Sequence, residues 1–334
     1  MDSNLEYVNT NRINVAVILS AYSGHRYIKE QVDSILNQEY NTDKYTITLY
    51  IRDDSKTKDA QMLEYFNSLR KDGRIVFLNN NPENVGVKKS FFELLKYVQS
   101  DFYFFSDQDD IWEKNKIAVF LKRYESLDDR TPLLIYSNLL LIDYNNRSLE
   151  STMKDTVGKN RGADNFVNRL LDDAITGASM AINRSLRDTI ISDKNYFDEI
   201  VMHDSYLGIV ASLTGKIVYI DEVLTRYRQH NNNVIGVKLK KYGRLNPLKY
   251  IMRYKWVNDH YKQAIVAIKC LKNNKQAILP ENQPVVDALV TLTNLKRFNL
   301  HNYYLLVHAT SGITDKIIVS YQWLVGIRSD EPKN

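Results

Sequence analysis

The chain has 334 residues, 44% of them hydrophobic, so it is long enough for two domains and apolar enough to fold around a core instead of remaining disordered. Its 45 basic and 40 acidic side chains leave a formal net charge of only +5, which argues against nucleic acid as the main partner. The single cysteine, Cys270, excludes an internal disulfide framework and a zinc site of several thiolates, and no apolar stretch reaches the roughly 18 residues that span a bilayer.

The first half of the chain alternates apolar runs with helical patterns. Four runs predict strands, at 15–19, 47–51, 74–78 and 102–105. Two amphipathic helical patterns lie between them, with apolar positions at Ile28, Val32, Ile35 and Leu36 and at Phe91, Phe92, Leu95 and Val98. Strands that alternate with helices predict an α/β fold with a parallel, doubly wound sheet. Further apolar runs at 133–141, 179–182 and 216–220 break this rhythm, so the sheet is expected to become mixed.

The last third of the chain has a different character. Past Gly236 the pattern turns helical, so we place a domain boundary there, between a first domain of 1–236 and a helical extension of 237–334. No acidic residue lies between Glu222 and Asp259, while nine Lys and Arg side chains do. The extension therefore begins with a locally basic segment.

The most informative stretch is Ser106-Asp107-Gln108-Asp109-Asp110-Ile111-Trp112, where a hydrophobic run ends in three carboxylates within four residues. Open α/β sheets bind ligands at the carboxyl ends of their strands, which is where these side chains would emerge. Asp107 and Asp109 offer the hard oxygen ligands that Mg²⁺ or Mn²⁺ prefers, and such ions often use one or two carboxylates plus substrate phosphate oxygens. The alternative is a solvated acidic turn in which Asp110 caps the following helix.

Polar residues also follow the other strands. Asp53 and Asp54 end the second strand, either to accept hydrogen bonds from a base or ribose or to form a turn. The turn Asn84-Val85-Gly86 offers backbone amides near a helix N-terminus, which is a weak indication of nucleotide binding.

Two later loops carry further candidate residues. Asp204, at the start of a helical run, is either a general base that deprotonates an attacking hydroxyl or the N-cap of that helix, and His203 is expected to support the loop. Downstream, His230 offers a third metal ligand and Arg228 a phosphate contact, although a histidine in a polar loop is more often simply exposed.

Together these motifs resemble those of the family 2 glycosyltransferases, and most of all those of the bacterial rhamnosyltransferases that build surface polysaccharides. The resemblance covers residues 14–236. It is carried by the strings Ser20-Ala21-Tyr22, Asp53-Asp54-Ser55, Asn84-Val85-Gly86, Ser106-Asp107-Gln108-Asp109-Asp110-Ile111-Trp112, Thr176-Gly177-Ala178, His203-Asp204 and Tyr227-Arg228-Gln229-His230.

The resemblance implies a GT-A fold, in which a nucleotide-binding half joins an acceptor-binding half, and an inverting glycosyl transfer with Mg²⁺ or Mn²⁺ as cofactor. It implies that Asp107 and Asp109 form the DxD motif that holds the metal and the donor diphosphate, and that His230 completes this site. The nucleotide contacts that it implies are Ser20, Tyr22, Asp53, Asp54, Asn84 and Asp107.

On the acceptor side, the resemblance implies that Asp204 is the base that activates the incoming hydroxyl. The sugar and acceptor contacts that it implies are Asp110, Trp112, Thr176, Gly177, His203 and Arg228. The chain departs from the common family pattern at Ser205-Tyr206, where relatives often have an aromatic pair, and at Asp53-Asp54-Ser55-Lys56, where many have Asp-Asp-Gly-Ser.

We therefore expect a transferase that moves a sugar from a nucleotide-sugar donor, dTDP-L-rhamnose, to a glycan acceptor of a bacterial surface polysaccharide. A UDP-hexose or a UDP-N-acetylhexosamine is the alternative donor. A catalytically silent, membrane-peripheral partner of another transferase is an alternative from another class, but it predicts a spoiled metal or base position, and Asp107, Asp109, Asp204 and His230 are all present. A nicotinamide-dependent oxidoreductase is disfavoured because no glycine-rich turn follows the first strand.

The sequence of the extension, 237–334, allows two interpretations. Its basic segment and amphipathic helices predict contact with an anionic membrane or with a lipid-diphosphate-linked acceptor. The alternative is a helical appendage that packs on the first domain or forms a homodimer. Because residues 1–14 also lack a signal-peptide core, we expect a cytoplasmic protein, peripheral on the inner face of the plasma membrane.

Overall fold

The computed structural model of the protein describes residues 12–23, 25–56, 60–78, 84–157, 165–171, 175–191, 197–229 and 247–292. His230, the basic residues of 237–246 and the chain after 292 lie outside the described residues. None of the helices in the described ranges is long and apolar enough to cross a membrane.

A mixed sheet forms the centre of the described structure. Its nine strands are β1 (Ile13–Ala21), β2 (Tyr45–Asp53), β3 (Ile75–Leu78), β4 (Phe102–Ser106), β5 (Ile111–Trp112), β6 (Leu133–Ile142), β7 (Ser148–Thr152), β8 (Met180–Asn183) and β9 (Lys216–Arg228). Neighbouring strands follow the order β3-β2-β1-β4-β8-β6-β9-β5, and β7 pairs with β6 outside this path.

The four strands predicted in the first half form the expected parallel sheet. β1 pairs in parallel with both β2 and β4, and β2 pairs in parallel with β3. The middle of β1 and all of β4 are buried on both faces, which is why both sequences are continuous apolar runs without alternation. The prediction that the sheet becomes mixed is confirmed too, because β8 runs antiparallel to β4 and β6.

Helices lie against both faces of this sheet. The ten described helices are α1 (Ile28–Leu36), α2 (Ala60–Leu69), α3 (Val87–Tyr97), α4 (Lys116–Glu125), α5 (Met153–Val157), α6 (Phe166–Leu171), α7 (Arg184–Ile190), α8 (His203–Thr214), α9 (Pro247–Asn273) and α10 (Gln283–Leu292). The two amphipathic patterns of the first half are found as α1 and α3. The alternative in which Asp110 caps a helix is wrong, because Ile111 and Trp112 form β5 and α4 begins only at Lys116.

Two hydrophobic clusters lie on the two faces of the sheet. Ala16 and Ile18 of β1 belong to one cluster, and Val15, Val17 and Leu19 belong to the other, as expected when successive side chains of a strand point to opposite faces. The first cluster also contains residues of α3, α8, α9 and α10, and the second contains residues of α1, α2 and α4. The helix α9 therefore shares a core with the sheet, while the domain boundary near Gly236 stays a prediction.

The carboxyl ends of β1, β2 and β4 meet at one edge of the sheet. The strand register pairs Ala21 with Asp53 and Leu19 with Ser106. The polar residues that follow these strands are therefore brought together at this edge by the parallel pairing alone.

One close backbone approach should make the junction of α8 and β9 intolerant of any side chain. A Cβ atom on Gly215 would lie 1.9 Å from the backbone oxygen of Pro132, and that oxygen accepts a 2.9 Å hydrogen bond from the Lys216 N–H as β6 and β9 begin to pair. We expect Gly215→Ala to lower the free energy of unfolding by about 1–3 kcal/mol, because the strands must separate to admit the methyl group. Chemical denaturation measures this loss. Gly73→Ala is the control, since nothing lies within 4 Å of a Cβ atom there, and equal stability of the two variants would contradict the prediction.

Candidate functional site

The loop after β4 is fastened to its neighbours by the residues between its aspartates. The side-chain amide of Gln108 accepts a 2.7 Å hydrogen bond from the Tyr22 N–H and donates one of 2.8 Å to the Tyr22 carbonyl. Ser106 at the end of β4 accepts a 2.6 Å hydrogen bond from Gln31 of α1. The loops after β1 and β4 are therefore held together at the sheet edge, while Asp107 and Asp109 are only partly buried.

Negative charge is concentrated in this loop. Burial, followed by the neighbouring charges of Asp109 and Asp204, raises the pKa of Asp107 to about 7, although Lys116 opposes the shift. Burial, followed by Asp109 and Asp107, also raises the pKa of Asp110 well above its ordinary value. Asp204, which lies far away in sequence, is thus close enough to Asp107 for their charges to interact.

The donor set of this loop fits a divalent cation. Asp110 Oδ2 is buried without a hydrogen-bond partner, and the repulsion within the cluster is of the kind that a bound cation relieves. Among the described residues, no group of three or more His, Cys, Asp or Glu side chains forms a ready-made metal site. A Mg²⁺ or Mn²⁺ site of two carboxylates, Asp107 and Asp109, completed by substrate phosphates remains compatible with this arrangement.

A fully buried lysine lies behind the acidic loop. The Lys116 ammonium donates to the carbonyl oxygen of Ala178 at 2.8 Å and to Thr225 Oγ1 at 2.9 Å, and it lies 3.8 Å from the centre of the Trp112 ring. Burial lowers the pKa of Lys116 to about 7, while Asp110 and Asp107 act in the opposite direction. In its protonated form, Lys116 therefore offsets part of the negative charge of Asp107 and Asp110.

Arg228 at the end of β9 fixes the same loop from the other side. Its backbone N–H donates to Asp110 Oδ1 at 3.0 Å, and its side chain donates to the Asp109 carbonyl at 2.7 Å and to Glu30 at 2.7 Å. The guanidinium also lies 4.5 Å from the ring centre of Tyr27. Because its side chain is only 1% exposed, Arg228 stabilises the loop internally in place of the expected phosphate or acceptor contact. His230 follows two residues later, outside the described ranges.

The two aspartates after β2 occupy different environments. Asp54 is buried, forms an ion pair with Arg52, and accepts hydrogen bonds from the N–H groups of Val85 at 2.9 Å and Gly86 at 2.8 Å. These donors precede α3, so the carboxylate also interacts favourably with the positive end of that helix. Asp53 is partly exposed at the sheet edge. Asp54 therefore has a structural role, whereas the nucleoside contact of Asp53 stays a prediction.

The remaining nucleotide-site candidates are arranged around the same edge. Tyr22 is exposed, and Ser20 is partly buried and donates a 2.6 Å hydrogen bond to Ser90. The side chain of Asn84 donates to the Asp54 carbonyl at 2.7 Å, so it helps to fix the turn before α3.

Asp204 lies on the first turn of α8, one residue after the helix begins. The N-cap alternative is wrong, because the N-cap residue is Met202. Asp204 Oδ2 accepts a 3.0 Å hydrogen bond from the Gly177 N–H, and Oδ1 accepts one of 2.8 Å from the Ser205 N–H. The partly exposed Thr176 precedes Gly177, so these two residues, which are predicted sugar and acceptor contacts, lie beside the candidate base Asp204.

Like Arg228, three more of the side chains expected to contact the sugar or acceptor are buried inside the protein. Trp112 is 3% exposed and packs with Phe104 in the core, and Asp110 is 1% exposed and accepts its hydrogen bond from Arg228. His203 is also buried, with its ring 4.4 Å from that of Phe91. These three side chains pack beside the loops that carry Asp109 and Asp204, and their role as sugar or acceptor contacts stays a prediction.

Sequence reasoning missed several residues of this region. Lys116 and Glu30 looked like ordinary helix positions, and no local pattern indicated that they would face the acidic loop. Tyr227 was within a recognised string but was assigned no role, although burial and then Asp110, Asp107 and other carboxylates of the site raise its pKa. The available signal for Tyr227 is its position next to Arg228 in β9. Successive side chains of a strand point to opposite faces, so the two residues lie on opposite faces of the sheet.

Comparisons with known proteins agree with this geometry. The family profile described as Glycosyl transferase family 2 matches residues 16–186. The chain belongs to this family. It is 30% identical over 252 residues to the dTDP-rhamnosyl transferase RfbG of Shigella flexneri, in an alignment that covers 71% of this chain and 80% of that protein. It is 25% identical over 235 residues to an uncharacterised glycosyltransferase of Rickettsia typhi, which covers 70% of this chain and 69% of that protein.

Solved structures show the same fold. The mannosyltransferase PcManGT from Pyrobaculum calidifontis, in complex with GDP-Man and Mn²⁺, matches with a TM-score of 0.51 at 15% identity, over 95% of this chain and 77% of that one. TarS of S. aureus matches with a TM-score of 0.50 at 13% identity, over 94% of this chain and 52% of that one. The expected GT-A fold is thereby confirmed, and the protein is a glycosyltransferase.

The adjacent residues Asp53 and Asp54 should respond differently to the same substitution. We expect Asp54→Asn to lower the free energy of unfolding by about 3 kcal/mol, because it leaves Arg52 buried without its counter-charge and turns an amide toward backbone N–H donors. Asp53→Asn should change it by less than about 0.5 kcal/mol but weaken donor binding. Denaturant titration and donor calorimetry on the two variants measure these effects. Equal destabilisation by both substitutions would contradict the different roles of the two carboxylates.

Proposed function

We propose that the protein is an inverting, metal-assisted rhamnosyltransferase that moves L-rhamnose from dTDP-L-rhamnose to a hydroxyl of a glycan acceptor in the synthesis of a bacterial surface polysaccharide. The observation that carries the proposal is the 30% identity to a dTDP-rhamnosyl transferase over most of both chains. The convergence of Asp107, Asp109 and Asp204 at the carboxyl edge of the sheet supports it, since these residues come from distant parts of the sequence.

The donor nucleotide would bind at the ends of β1 and β2. Asp53 is partly exposed there and could accept hydrogen bonds from the base or the ribose, and Tyr22 presents an exposed ring beside it. Ser20 is partly buried and closes the same edge. The two hydrogen bonds between Gln108 and the Tyr22 backbone join the loop after β1, which would bind the nucleoside, to the loop after β4, which would bind the diphosphate.

Asp107 and Asp109 would hold the Mg²⁺ or Mn²⁺ ion, and His230 is proposed as a further ligand. When bound, such an ion neutralises the charge that develops on the leaving nucleoside diphosphate. Arg228 contributes by holding the Asp109–Asp110 backbone, and Lys116 by placing a cation behind Asp107. Arg228 thus holds the backbone between the two proposed ligands before the donor arrives.

Asp204 would be the general base. One carboxylate oxygen accepts the proton of the acceptor hydroxyl as the hydroxyl oxygen attacks the anomeric carbon. The bond from this carbon to the diphosphate oxygen breaks in the same displacement, so the electron pair leaves with the nucleoside diphosphate and the configuration inverts. The hydrogen bonds from the N–H groups of Gly177 and Ser205 hold the carboxylate in place.

The acceptor is proposed to be a glycan linked to a lipid diphosphate, met at the inner face of the plasma membrane. The support is the seven Lys and Arg residues within 238–255, since clustered basic side chains attract anionic surfaces. Thr176 and Gly177 lie beside Asp204, so they are the proposed sugar and acceptor contacts.

Donor identity can be tested by calorimetry. We expect dTDP-L-rhamnose to bind in the presence of Mn²⁺ more tightly than UDP-glucose, UDP-galactose or UDP-N-acetylglucosamine, and to lose affinity with a chelator. Asp109→Ala should reduce the Mn²⁺-dependent affinity by about tenfold or more, whereas Asp43→Ala, an exposed carboxylate before β2, should leave it unchanged. Preference for a UDP sugar would replace the donor and keep the mechanism. Failure to bind any nucleotide sugar would favour a catalytically silent partner.

The base assignment predicts a separation of binding from turnover. Asp204→Asn is expected to slow release of dTDP from dTDP-L-rhamnose, with water as the acceptor, by about 10²–10⁴-fold while the donor dissociation constant stays the same. Asp43→Asn serves as the control for a lost surface charge. Normal turnover by the Asp204 variant would reject the role of this carboxylate.

A further inference from the structure

A buried polar network joins α8 to α9 immediately beside Asp204. Ser205 Oγ lies 3.0 Å from His260 Nε2, and Gln263 Nε2 donates to Ser205 Oγ at 2.9 Å. His260 Nδ1 lies 2.9 Å from the Trp256 carbonyl oxygen. All three side chains of the network, Ser205, His260 and Gln263, are at most 5% exposed.

The hydrogen positions in this network follow from its chemistry. The Trp256 carbonyl can only accept, so His260 Nδ1 carries a proton, and in the neutral ring Nε2 accepts the Ser205 hydroxyl proton. Ser205 Oγ then accepts from the Gln263 amide nitrogen. This leaves Gln263 Oε1 to accept hydrogen bonds, and it does so from the N–H groups of Val201 and Met202, at 3.1 Å each.

These bonds satisfy two backbone donors immediately before α8. Val201 and Met202, the N-cap residue, precede the first helical turn, and their partly buried N–H groups need an acceptor. Gln263 of α9 supplies that acceptor from another part of the chain. The residues that it and His260 hold, Met202 and Ser205, lie on either side of Asp204 in sequence.

Apolar packing already attaches α9 to this face of the sheet. Val257, Tyr261, Ala264 and Ile268 belong to the same hydrophobic cluster as Leu207 and Val210 of α8. A buried polar network within such an interface is costly unless every member is satisfied, and in return it fixes one geometry. The network contacts Val201, Met202 and Ser205, so it fixes the conformation of the segment 201–205, which contains the candidate base Asp204.

We propose that Ser205, His260 and Gln263 are positioning residues for glycosyl transfer, and that α9 orients Asp204 through them. The inference rests on the proposed role of Asp204 as the base. The hydrogen bond from Gly177 restrains the carboxylate from one side, and the network on α9 restrains its backbone from the other. His260 and Gln263, which lie beyond residue 236 and belong to none of the family motifs, thereby help to position the base.

The test compares Gln263→Met and His260→Phe, which keep size but remove the hydrogen bonds, with Ile268→Val, which removes one methyl group from the same core without touching the network. In the presence of Mn²⁺, we expect each of the first two to lower kcat for dTDP release from dTDP-L-rhamnose by about tenfold or more, because small misplacements of a catalytic group are costly, while the donor dissociation constant changes less than twofold. Ile268→Val should leave kcat unchanged. Ser205→Ala is expected to behave like the first two, and Ser205→Thr, which keeps the hydroxyl, to restore turnover.

A double variant distinguishes positioning of the base from a general loss of structure. If Gln263 acts through Asp204, adding Gln263→Met to Asp204→Asn should not slow turnover further. Multiplicative losses in the double variant, or unchanged kcat in both Gln263→Met and Ser205→Ala, would overturn the inference. If Asp204→Asn alone turned over normally, the proposed base itself would fail, which is a separate result from failure of the network.

Discussion

The arrangement of this protein depends on one electrostatic constraint, which is that several carboxylates are gathered at a single edge of a buried sheet. A desolvated carboxylate must be compensated by a donor or a cation, and the chain compensates each in a different way. Asp54 forms an ion pair with Arg52 and accepts a hydrogen bond from the Gly86 N–H at the start of α3, and Asp110 accepts one from the Arg228 N–H. Lys116 supplies positive charge from behind the cluster. Asp204 has the N–H groups of Gly177 and Ser205. Asp107 and Asp109 are the carboxylates that we propose a metal-bound donor neutralises.

The compensating groups also hold the loops together. The loops after β1 and β4 are joined by Gln108, and the end of β9 is joined to the second of these loops by Arg228. Lys116 bonds to Ala178, the neighbour of the glycine that contacts Asp204. The proposed metal ligands and the proposed base are therefore linked through a short series of buried polar contacts, and this pre-organisation is what a displacement reaction requires.

The helix α9 extends this support to the start of α8, where Asp204 lies. Its apolar face completes the same core as α3 and α8, and its polar residues reach the segment before Asp204. A glycosyltransferase whose family profile ends at residue 186 thus uses residues far beyond that point to shape the start of α8. Support of this kind leaves the family motifs intact while it adjusts how they are oriented.

The sequence by itself determined the alternating architecture, the family and the acidic residues at the strand ends, because apolar periodicity and short motifs are local properties. It did not reveal that Asp54, Asp110, Trp112 and Arg228 are used internally, since burial depends on what packs against a residue from elsewhere in the chain. It also gave no indication of Lys116, His260 or Gln263, which occupy ordinary helix positions and acquire their roles only when distant segments meet. Only the tertiary structure decided which carboxylates stay partly exposed at the sheet edge and which form internal hydrogen bonds, because that choice depends on the partners that folding brings within hydrogen-bonding distance.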